Sequence, residues 1–171
     1  MFKIFFFLFC LLFSCNNPAP TGIIQTTMRQ TEEIDPFILG GQKLVELEDE
    51  DIELFLKRSK WNMKQTNTGL RYEITKTGSG QNFERGATVM LTYSTWLLSG
   101  EKVYSSKEDG LKRFVVEKTE EISGLHEAVQ LLNSGAKARL IIPSHLAYGA
   151  SGDGNKIAPC QTIIMKITAV R

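Results

Sequence analysis

The sequence predicts an α+β fold in which an antiparallel sheet wraps around one short helix, with an amphipathic helix before it. Two observations support this prediction: apolar residues alternate in several short segments after residue 69, and a single segment among them has helical spacing. The chain of 171 residues suffices for one ordinary domain, and 42% hydrophobic residues are enough for a packed core. Strands on both sides of one helix favour a sheet packed on that helix.

The first fourteen residues are typical of a secretory signal peptide, which we place at 1–14. Lys3 supplies a short positive region, and residues 4–13 form an apolar run too short to span a bilayer. The Leu-Phe-Ser-Cys sequence that ends at Cys15 is similar to a bacterial lipobox, in which the cysteine is lipidated. The alternative is an ordinary signal peptide cleaved nearby, with Cys15 incidental.

A lipid on Cys15 predicts a membrane anchor, because acyl chains bind a bilayer through their buried methylenes. Asn16 and Asn17 carry no charge, so neither an inner-membrane retention aspartate nor an acidic surface-export signal follows the cysteine. We therefore expect a lipid-anchored protein of the outer membrane that faces the periplasm. Cys10 lies in the signal peptide and Cys160 is the remaining thiol, so no intramolecular disulfide is expected.

Two segments separate the anchor from the domain. Residues 15–42 are rich in Thr, Pro, Gly, Gln and Asn, which is typical of a tether. Within residues 43–65, acids precede apolar residues and bases follow them, which predicts an amphipathic helix from about Asp49 to Lys60. Two roles remain open for this helix: a brace docked on the domain, or a surface for a partner protein.

Residues 66–171 form the predicted domain, and its strands follow from alternating apolar positions. Strands are predicted at 70–75, 88–98, 103–105, within 112–117, at 139–143 and at 163–169, with a turn at 77–80. The single helix is predicted from Ile122, Leu125, Val129 and Leu132, which recur at helical spacing. Gly135 is well placed to end this helix.

Several function classes are excluded by the sequence. A net charge of +1 without a basic run argues against nucleic acid binding. The segment 149–154 is rich in glycine, but it lacks the ending of a phosphate loop and no helix follows it. His126 and His145 have no paired cysteines near them, so no metal site is predicted. We expect neither a metal nor a cofactor.

A series of short segments in the domain has a distinctive order and spacing. The segments are Thr92-Tyr93, Gly100, Val103-Tyr104-Ser105-Ser106, Phe114, Ile122-Ser123-Gly124-Leu125, Glu127-Ala128-Val129, Gly135-Ala136-Lys137-Ala138, Ile142-Pro143, Leu146-Ala147-Tyr148-Gly149 and Ile163 to Val170. Together they resemble the FK506-binding (FKBP) type of peptidyl-prolyl cis-trans isomerase over residues 86–171. With the lipobox and the acidic helix, the chain also resembles the gliding-motility-associated isomerase lipoproteins of Bacteroidetes.

The resemblance implies a pocket with four principal residues. Tyr93 and Phe114 would form aromatic walls, Ile122 would donate its backbone N–H to a substrate carbonyl, and Tyr148 would direct its hydroxyl at another carbonyl. Four further substrate-binding positions depart from the family pattern: Val103, Leu125 and Met165 replace aromatic residues, and Tyr104 replaces an aspartate. Tyr93, Phe114, Leu125 and Met165 are also residue types that any sheet-on-helix core contains.

The resemblance also implies a function. We expect a prolyl isomerase that acts on proline-containing proteins and assists the folding of exported envelope proteins, gliding components among them. Loss of aromatic stacking and of the aspartate predicts weak activity on short peptides and poor affinity for FK506. The alternative is a non-catalytic binding or chaperone module of an envelope machine, because a fold alone does not establish activity.

Overall fold

A computed structural model describes the backbone of residues 36–170 and the side chains of residues 41–170. The predicted signal peptide, Cys15 and most of the predicted tether therefore lie outside the described residues. Within this part of the chain, no helix is both long enough and apolar enough to cross a membrane.

Three helices and nine strands follow one another within residues 36–170. The helices are α1 (Pro36–Ser59), α2 (Ser106–Asp109) and α3 (Ser123–Gln130). The strands are β1 (Lys64–Gln65), β2 (Arg71–Lys76), β3 (Ser79–Asn82), β4 (Thr88–Leu97), β5 (Lys102–Ser105), β6 (Lys112–Val115), β7 (Asn133–Ser134), β8 (Lys137–Ile142) and β9 (Ile163–Ala169). Two 3₁₀ turns, Ser144–Leu146 and Gly149–Ser151, lie between β8 and β9.

Seven of the strands form one antiparallel sheet. Its order is β1-β2-β8-β9-β4-β5, with β6 paired to the other half of the long strand β4, and a separate small sheet joins β3 to β7. The strand β9 lies at the centre, because it pairs with β8 on one side and with β4 on the other. The α+β fold with a short helix against an antiparallel sheet is thus confirmed.

The main core lies between the inner face of the sheet and α3. Along β9 the inward residues Ile163, Met165 and Ile167 are each at most 2% exposed, while Lys166 between them faces solvent. From α3, Leu125 and Val129 are fully buried against this face. Burying each such side chain contributes about 1.5–3 kcal/mol to the free energy of unfolding, which explains why the alternating pattern specifies the sheet.

The outer face of the sheet is covered at one end by α1. Ile52 is fully buried and packs against Ile141 of β8 and Ile164 of β9. Several aromatic and aliphatic side chains surround this second cluster: Phe55, Leu56, Trp61, Met63, Trp96 and Leu98. The amphipathic helix is therefore docked on the domain through its apolar stripe.

The structure corrects three details of the predicted elements. The helix α1 starts at Pro36 rather than near Asp49, so residues 36–42 of the predicted tether are helical. Proline suits the first position of a helix, because the backbone N–H that it lacks would have no partner within the helix there. Elsewhere in a helix proline is unfavourable, which is why no helix was predicted here. The helix α3 ends at Gln130, and Gly135 instead makes a turn with φ of 81° before β8. The polar strands β3 and β7 were not predicted, since neither has an apolar face.

Candidate active site

A cavity of about 240 Å³ opens at the inner edge of the sheet, between β4, β5 and the segment that joins β8 to β9. Its walls combine apolar, phenolic and charged side chains. They are Tyr93, Thr95, Tyr104, Asp109, Lys112, Ile122, Tyr148, Asp153, Ile163 and Met165. Five of the eight residues expected at the site therefore meet around one cavity: Tyr93, Tyr104, Ile122, Tyr148 and Met165.

One side of the cavity is a row of residues across three strands. Thr95 of β4 is paired with Tyr104 of β5 and with Met165 of β9. Paired residues of neighbouring strands point to the same face, so these three side chains lie together. Tyr93 precedes Thr95 by two residues, and the period of a strand places its side chain on that face as well. The sheet register thus brings residues that are distant in the chain to one wall.

Tyr148 reaches the cavity from the segment between β8 and β9. Burial raises the pKa of its phenol from 10.0 to about 12, and the nearby carboxylates of Glu121 and Asp153 act in the same direction. The phenol therefore stays protonated at neutral pH and can donate a hydrogen bond. Unlike the hydroxyl of Tyr104, its hydroxyl makes no side-chain hydrogen bond within residues 41–170.

Tyr93 has the same character on the opposite wall. Burial raises the pKa of its phenol, and the carboxylates of Asp109 and Glu121 raise it further. Its ring lies beneath the ammonium of Lys112, with Nζ 5.4 Å from the ring centroid. This distance is within the range of a cation–π interaction, which holds the lysine over the aromatic face.

Tyr104 is joined to the opposite loop by a hydrogen bond. Its hydroxyl donates to Oδ2 of Asp153, and Oδ1 of Asp153 accepts the backbone N–H groups of Asn155 at 2.9 Å and Ile157 at 2.8 Å. Burial alone would raise the pKa of Asp153, but these three donors outweigh it and hold the pKa below its ordinary value. The family's aspartate is replaced by Tyr104 here, but Asp153 of the loop between β8 and β9 places a carboxylate at the cavity.

The backbone N–H of Ile122 is already engaged within the chain. It donates to Oε1 of Glu121 at 3.0 Å, and Oε2 of the same carboxylate accepts from Nζ of Lys112 at 2.7 Å. The Glu121 side chain is only 10% exposed, so this ion pair is shielded from water. A substrate carbonyl that uses the Ile122 N–H must therefore displace a charged acceptor.

Three of the expected site residues do not line the cavity. Phe114 is 4% exposed and packs edge-on against His126 with ring centroids 5.2 Å apart, so it belongs to the core beneath α3. It points to the same side of β6 as Lys112, which lies two residues earlier and occupies the cavity end of that strand. Val103 and Leu125 are buried in the main core, where they support the fold.

Two glycines fix the segment that carries Tyr148. A Cβ atom at Gly124 would collide with the side chain of Ile142 and lie 3.1 Å from the carbonyl oxygen of Leu146. Gly152 has a φ of 67°, and a Cβ atom there would collide with the carbonyl oxygen of Ile157. The start of α3 and the loop can approach this closely only because both residues lack a side chain.

The sequence prediction missed five residues of the cavity wall and its border. Thr95, Asp109, Lys112, Asp153 and Ile163 line the cavity but were not expected there. Strand alternation is a signal for three of them, because each lies two residues from a position that was singled out. For the two aspartates no such signal exists, because Asp109 ends the short helix α2 and Asp153 lies in the loop between β8 and β9, so neither belongs to an alternating strand.

Comparison with known proteins gives one family. Residues 79–170 match the model of the FKBP-type peptidyl-prolyl cis-trans isomerases. The probable isomerase FkpA of Neisseria meningitidis serogroup B is 35% identical over 159 residues, 86% of this chain and 58% of that protein. A protein of Legionella longbeachae named outer membrane protein MIP is 32% identical over 68% of this chain and 50% of its own length.

A solved structure has the same architecture. The crystal structure of FkpA from Escherichia coli superposes with a TM-score of 0.65 at 26% identity, covering 77% of this chain and 61% of that one. The chain spans about half the length of the curated relatives it matches. The residues that match the family model, 79–170, include every residue of the cavity wall.

Proposed function

Because this chain belongs to the FKBP-type peptidyl-prolyl cis-trans isomerase family, we propose that its cavity accelerates the rotation of Xaa-Pro bonds in other proteins. The observation that supports the proposal most strongly is the convergence of two protonated phenols, from Tyr93 and Tyr148, on an apolar wall that includes Met165. No charged nucleophile is needed for this chemistry, because no covalent bond is made or broken.

The rate of the uncatalysed reaction explains what such a site must do. Rotation about a peptide bond meets a barrier of about 18–20 kcal/mol because it breaks amide resonance. An Xaa-Pro bond takes tens to hundreds of seconds to rotate unaided, although its two isomers are close in energy. The twisted amide has less charge separation than the planar amide. A water-poor apolar wall therefore disfavours the planar state more, and binding the twisted amide more tightly lowers the barrier.

Each cavity residue has a place in this account. The proline ring would rest on the wall formed by Met165 and Ile163, which are both nearly fully buried. Tyr148 would donate its free hydroxyl to a carbonyl of the bound chain and hold it while the bond rotates. The Ile122 N–H would bind a second carbonyl after Glu121 releases it.

The charged border accounts for the expected weak activity and poor FK506 affinity. Lys112 lines the cavity and is paired with Glu121, whose carboxylate also accepts the Ile122 N–H. Displacing such a charge-assisted hydrogen bond has a cost of about 1.5–3 kcal/mol. That cost corresponds to roughly a tenfold to hundredfold loss of affinity. A low-nanomolar dissociation constant for FK506, measured by calorimetry, would contradict this part of the proposal.

A second candidate function is a binding module without catalysis. The occupied Ile122 N–H favours it, because the chain itself satisfies the donor that the reaction is expected to use. Both functions predict peptide binding in the cavity. They differ in whether a bound Xaa-Pro bond rotates faster.

The test is the refolding of a protein whose slow phase is limited by proline isomerisation. We expect the full-length chain to accelerate that phase, and Tyr148→Phe to reduce the acceleration about tenfold through the loss of one hydrogen bond. Tyr72→Phe is the matched control, since Tyr72 packs against the main core and lies outside the cavity. Equal rates for wild type and Tyr148→Phe would remove Tyr148 from the mechanism. No acceleration by a folded wild type would favour the binding module.

The cellular setting remains part of the proposal. A lipid anchor at Cys15 and a position at the outer membrane are supported by the sequence of residues 1–15 and by the printed name of the Legionella relative. Labelling of the protein by palmitate, absent from Cys15→Ser, is the expected result. Unchanged labelling of that variant would contradict the anchor.

Clients among exported envelope proteins, including gliding components, follow from the narrower resemblance to the Bacteroidetes lipoproteins. Deleting the gene should impair surface spreading if this assignment is correct, and the wild-type gene should restore it. Normal spreading of the deletion strain would remove gliding from the proposal.

A further inference from the structure

The loop that carries Tyr148 is tied at both ends to a single carboxylate of α1. The loop comprises residues 143–162, between β8 and β9, and Glu48 of α1 faces its two ends. Oε1 of Glu48 accepts the backbone N–H of Ser144 at 2.7 Å, and Oε2 accepts the hydroxyl of Ser144 at 2.9 Å. The hydroxyl of Thr162 also donates to Oε1.

Ser144 and Thr162 have polar groups that need hydrogen-bond partners, and Glu48 supplies them. Ser144 opens a 3₁₀ turn, and the residue before it, Pro143, provides no side-chain cap for the first N–H groups. A carboxylate is the strongest acceptor for such a group. Thr162 is 4% exposed, so its hydroxyl also needs a partner inside the protein. Glu48 therefore accepts hydrogen bonds from the partly buried Ser144 and from the buried Thr162, at opposite ends of the loop.

The loop ends are adjacent to the cavity. Tyr148 lies four residues after Ser144, with one short turn between them, and Ile163 of the cavity wall directly follows Thr162. The base of the loop is closed by the backbone N–H of Cys160, which donates to the carbonyl of Gly149 at 2.9 Å. A shift of either end is therefore passed to Tyr148 or to Ile163.

The position of Glu48 is fixed by its own helix. Arg71 of β2 is 2% exposed, and its guanidinium contacts the carboxylates of Asp49 and Glu53 on α1. Ile52, one turn after Glu48, is anchored in the outer-face cluster. Glu48 thus has little freedom to move without moving α1.

We propose that Glu48 is a positioning residue for the isomerase site, through which α1 sets the geometry of the loop that carries Tyr148. The effect on catalysis rests on the proposed function. The three hydrogen bonds of Glu48 with Ser144 and Thr162, which we call the clamp, are a property of the fold. The helix lies outside residues 79–170, so an element beyond the matched family region would tune the site. A change in the docking of α1 would then alter activity without touching the cavity.

The test compares Glu48→Gln and Glu48→Ala with Glu50→Gln in the full-length chain. Glu50 is on the same helix and exposed, so its substitution makes the same charge change without touching the loop. We expect amide hydrogen exchange of residues 144–162 to accelerate about tenfold in Glu48→Gln and more in Glu48→Ala, with strands β4 and β9 unaffected. The kcat/KM for an Xaa-Pro peptide should fall about tenfold, mainly through kcat, because Tyr148 is misplaced rather than removed.

Two results would overturn the inference. One is exchange and kcat/KM in Glu48→Gln equal to those of Glu50→Gln. The other is a uniform rise of exchange over all strands, which would mean that Glu48 only supports global stability. If Glu48→Ala does not fold, Thr162→Val is the second variant, since it keeps the side-chain shape and removes one of the clamp's donors. Faster loop exchange in these variants, with no isomerase activity in wild type, would retain the clamp and refute the proposed function.

Discussion

The two faces of the sheet are packed in different ways. The inner face meets α3 through a continuous apolar core with twenty buried residues, while the outer face meets α1 through three: Ile52, Ile141 and Ile164. The outer face has fewer buried apolar residues, and α1 is also held by polar contacts: Glu48 binds Ser144, and Arg71 binds Asp49. The inner packing therefore supplies most of the stability, and the outer packing determines where α1 and the loop sit.

The polar contacts of the outer face are also less complete. Nε of Arg71 is buried and has no hydrogen-bond partner within the described residues. Arg71 is buried, whereas its partners Asp49 and Glu53 are about half exposed, so removing the carboxylates would leave a buried guanidinium without a counter-charge. We therefore expect substitutions on the two faces to differ in kind: global unfolding from the inner face, and local release of α1 from the outer one.

The largest expected effect comes from Leu125→Ala on the inner face. Leu125 is fully buried in the main core, and removing its side chain leaves a cavity there. We expect a loss of about 3 kcal/mol in the free energy of unfolding, measured by urea denaturation. The control is Leu54→Ala on α1, where 54% exposure predicts a change within about 0.5 kcal/mol. Similar losses in both variants would contradict the role given to the inner core.

Ile52→Ala is the outer-face counterpart, with a smaller and more local effect. Ile52 is fully buried, but the cluster around it is small. When its side chain is shortened, α1 can detach while the rest of the domain stays folded. We expect about 2 kcal/mol less protection against amide exchange in α1 and in residues 144–162, with β9 protected as in wild type. Equal loss of protection in β9 would show that the two faces unfold as one unit.

The sequence predicted the inner face well because alternation of apolar residues is a local signal. It placed β4, β8 and β9 within two residues of their ends, and it placed the start of α3 through Ile122 and Leu125. The outer face was predicted only in part. The apolar stripe around Ile52 was recognised, but the contacts of Glu48 with Ser144 and Thr162 join residues about one hundred positions apart.

The cavity shows the same limit of prediction. Tyr93, Ile122, Tyr148 and Met165 were identified from the family resemblance, and they do meet there. Phe114 was also expected at the wall from the family resemblance, but it packs against His126 of α3, and Lys112 on the same strand lines the cavity instead. Which of two residues on one strand face reaches a cavity depends on the neighbouring helix, and no local pattern encodes that.

A smaller effect is expected from Glu121→Gln at the border of the cavity. The amide weakens the pair with Lys112 and the hold on the Ile122 N–H, so a substrate carbonyl meets less competition. We expect KM for an Xaa-Pro peptide to fall roughly threefold, which corresponds to about 0.6 kcal/mol. Glu120→Gln is the neighbouring exposed control. A higher KM in Glu121→Gln would mean that the carboxylate assists binding instead.

The smallest effect is expected from pH. The pKa of Tyr148 is raised to about 12, so its donor is intact at every pH up to the ordinary tyrosine value of 10.0. Isomerase activity should therefore be flat from neutral pH to that value. The contribution of this group to stability is complete below pH 10 and is lost as pH rises toward 12, because only the unfolded chain ionises readily there. A fall in kcat between pH 7 and pH 9, with the fold intact by circular dichroism, would contradict the role of a protonated phenol.

The most direct test of the account is two-dimensional exchange NMR on short Xaa-Pro peptides with catalytic amounts of the full-length chain. We expect cis–trans exchange faster than the uncatalysed rate. Peptide binding should also change the NMR chemical shifts of Tyr93, Tyr148 and Met165 in the cavity wall. Peptide binding at these residues without any gain in exchange, across varied residues before proline, would contradict the isomerase and establish a binding module.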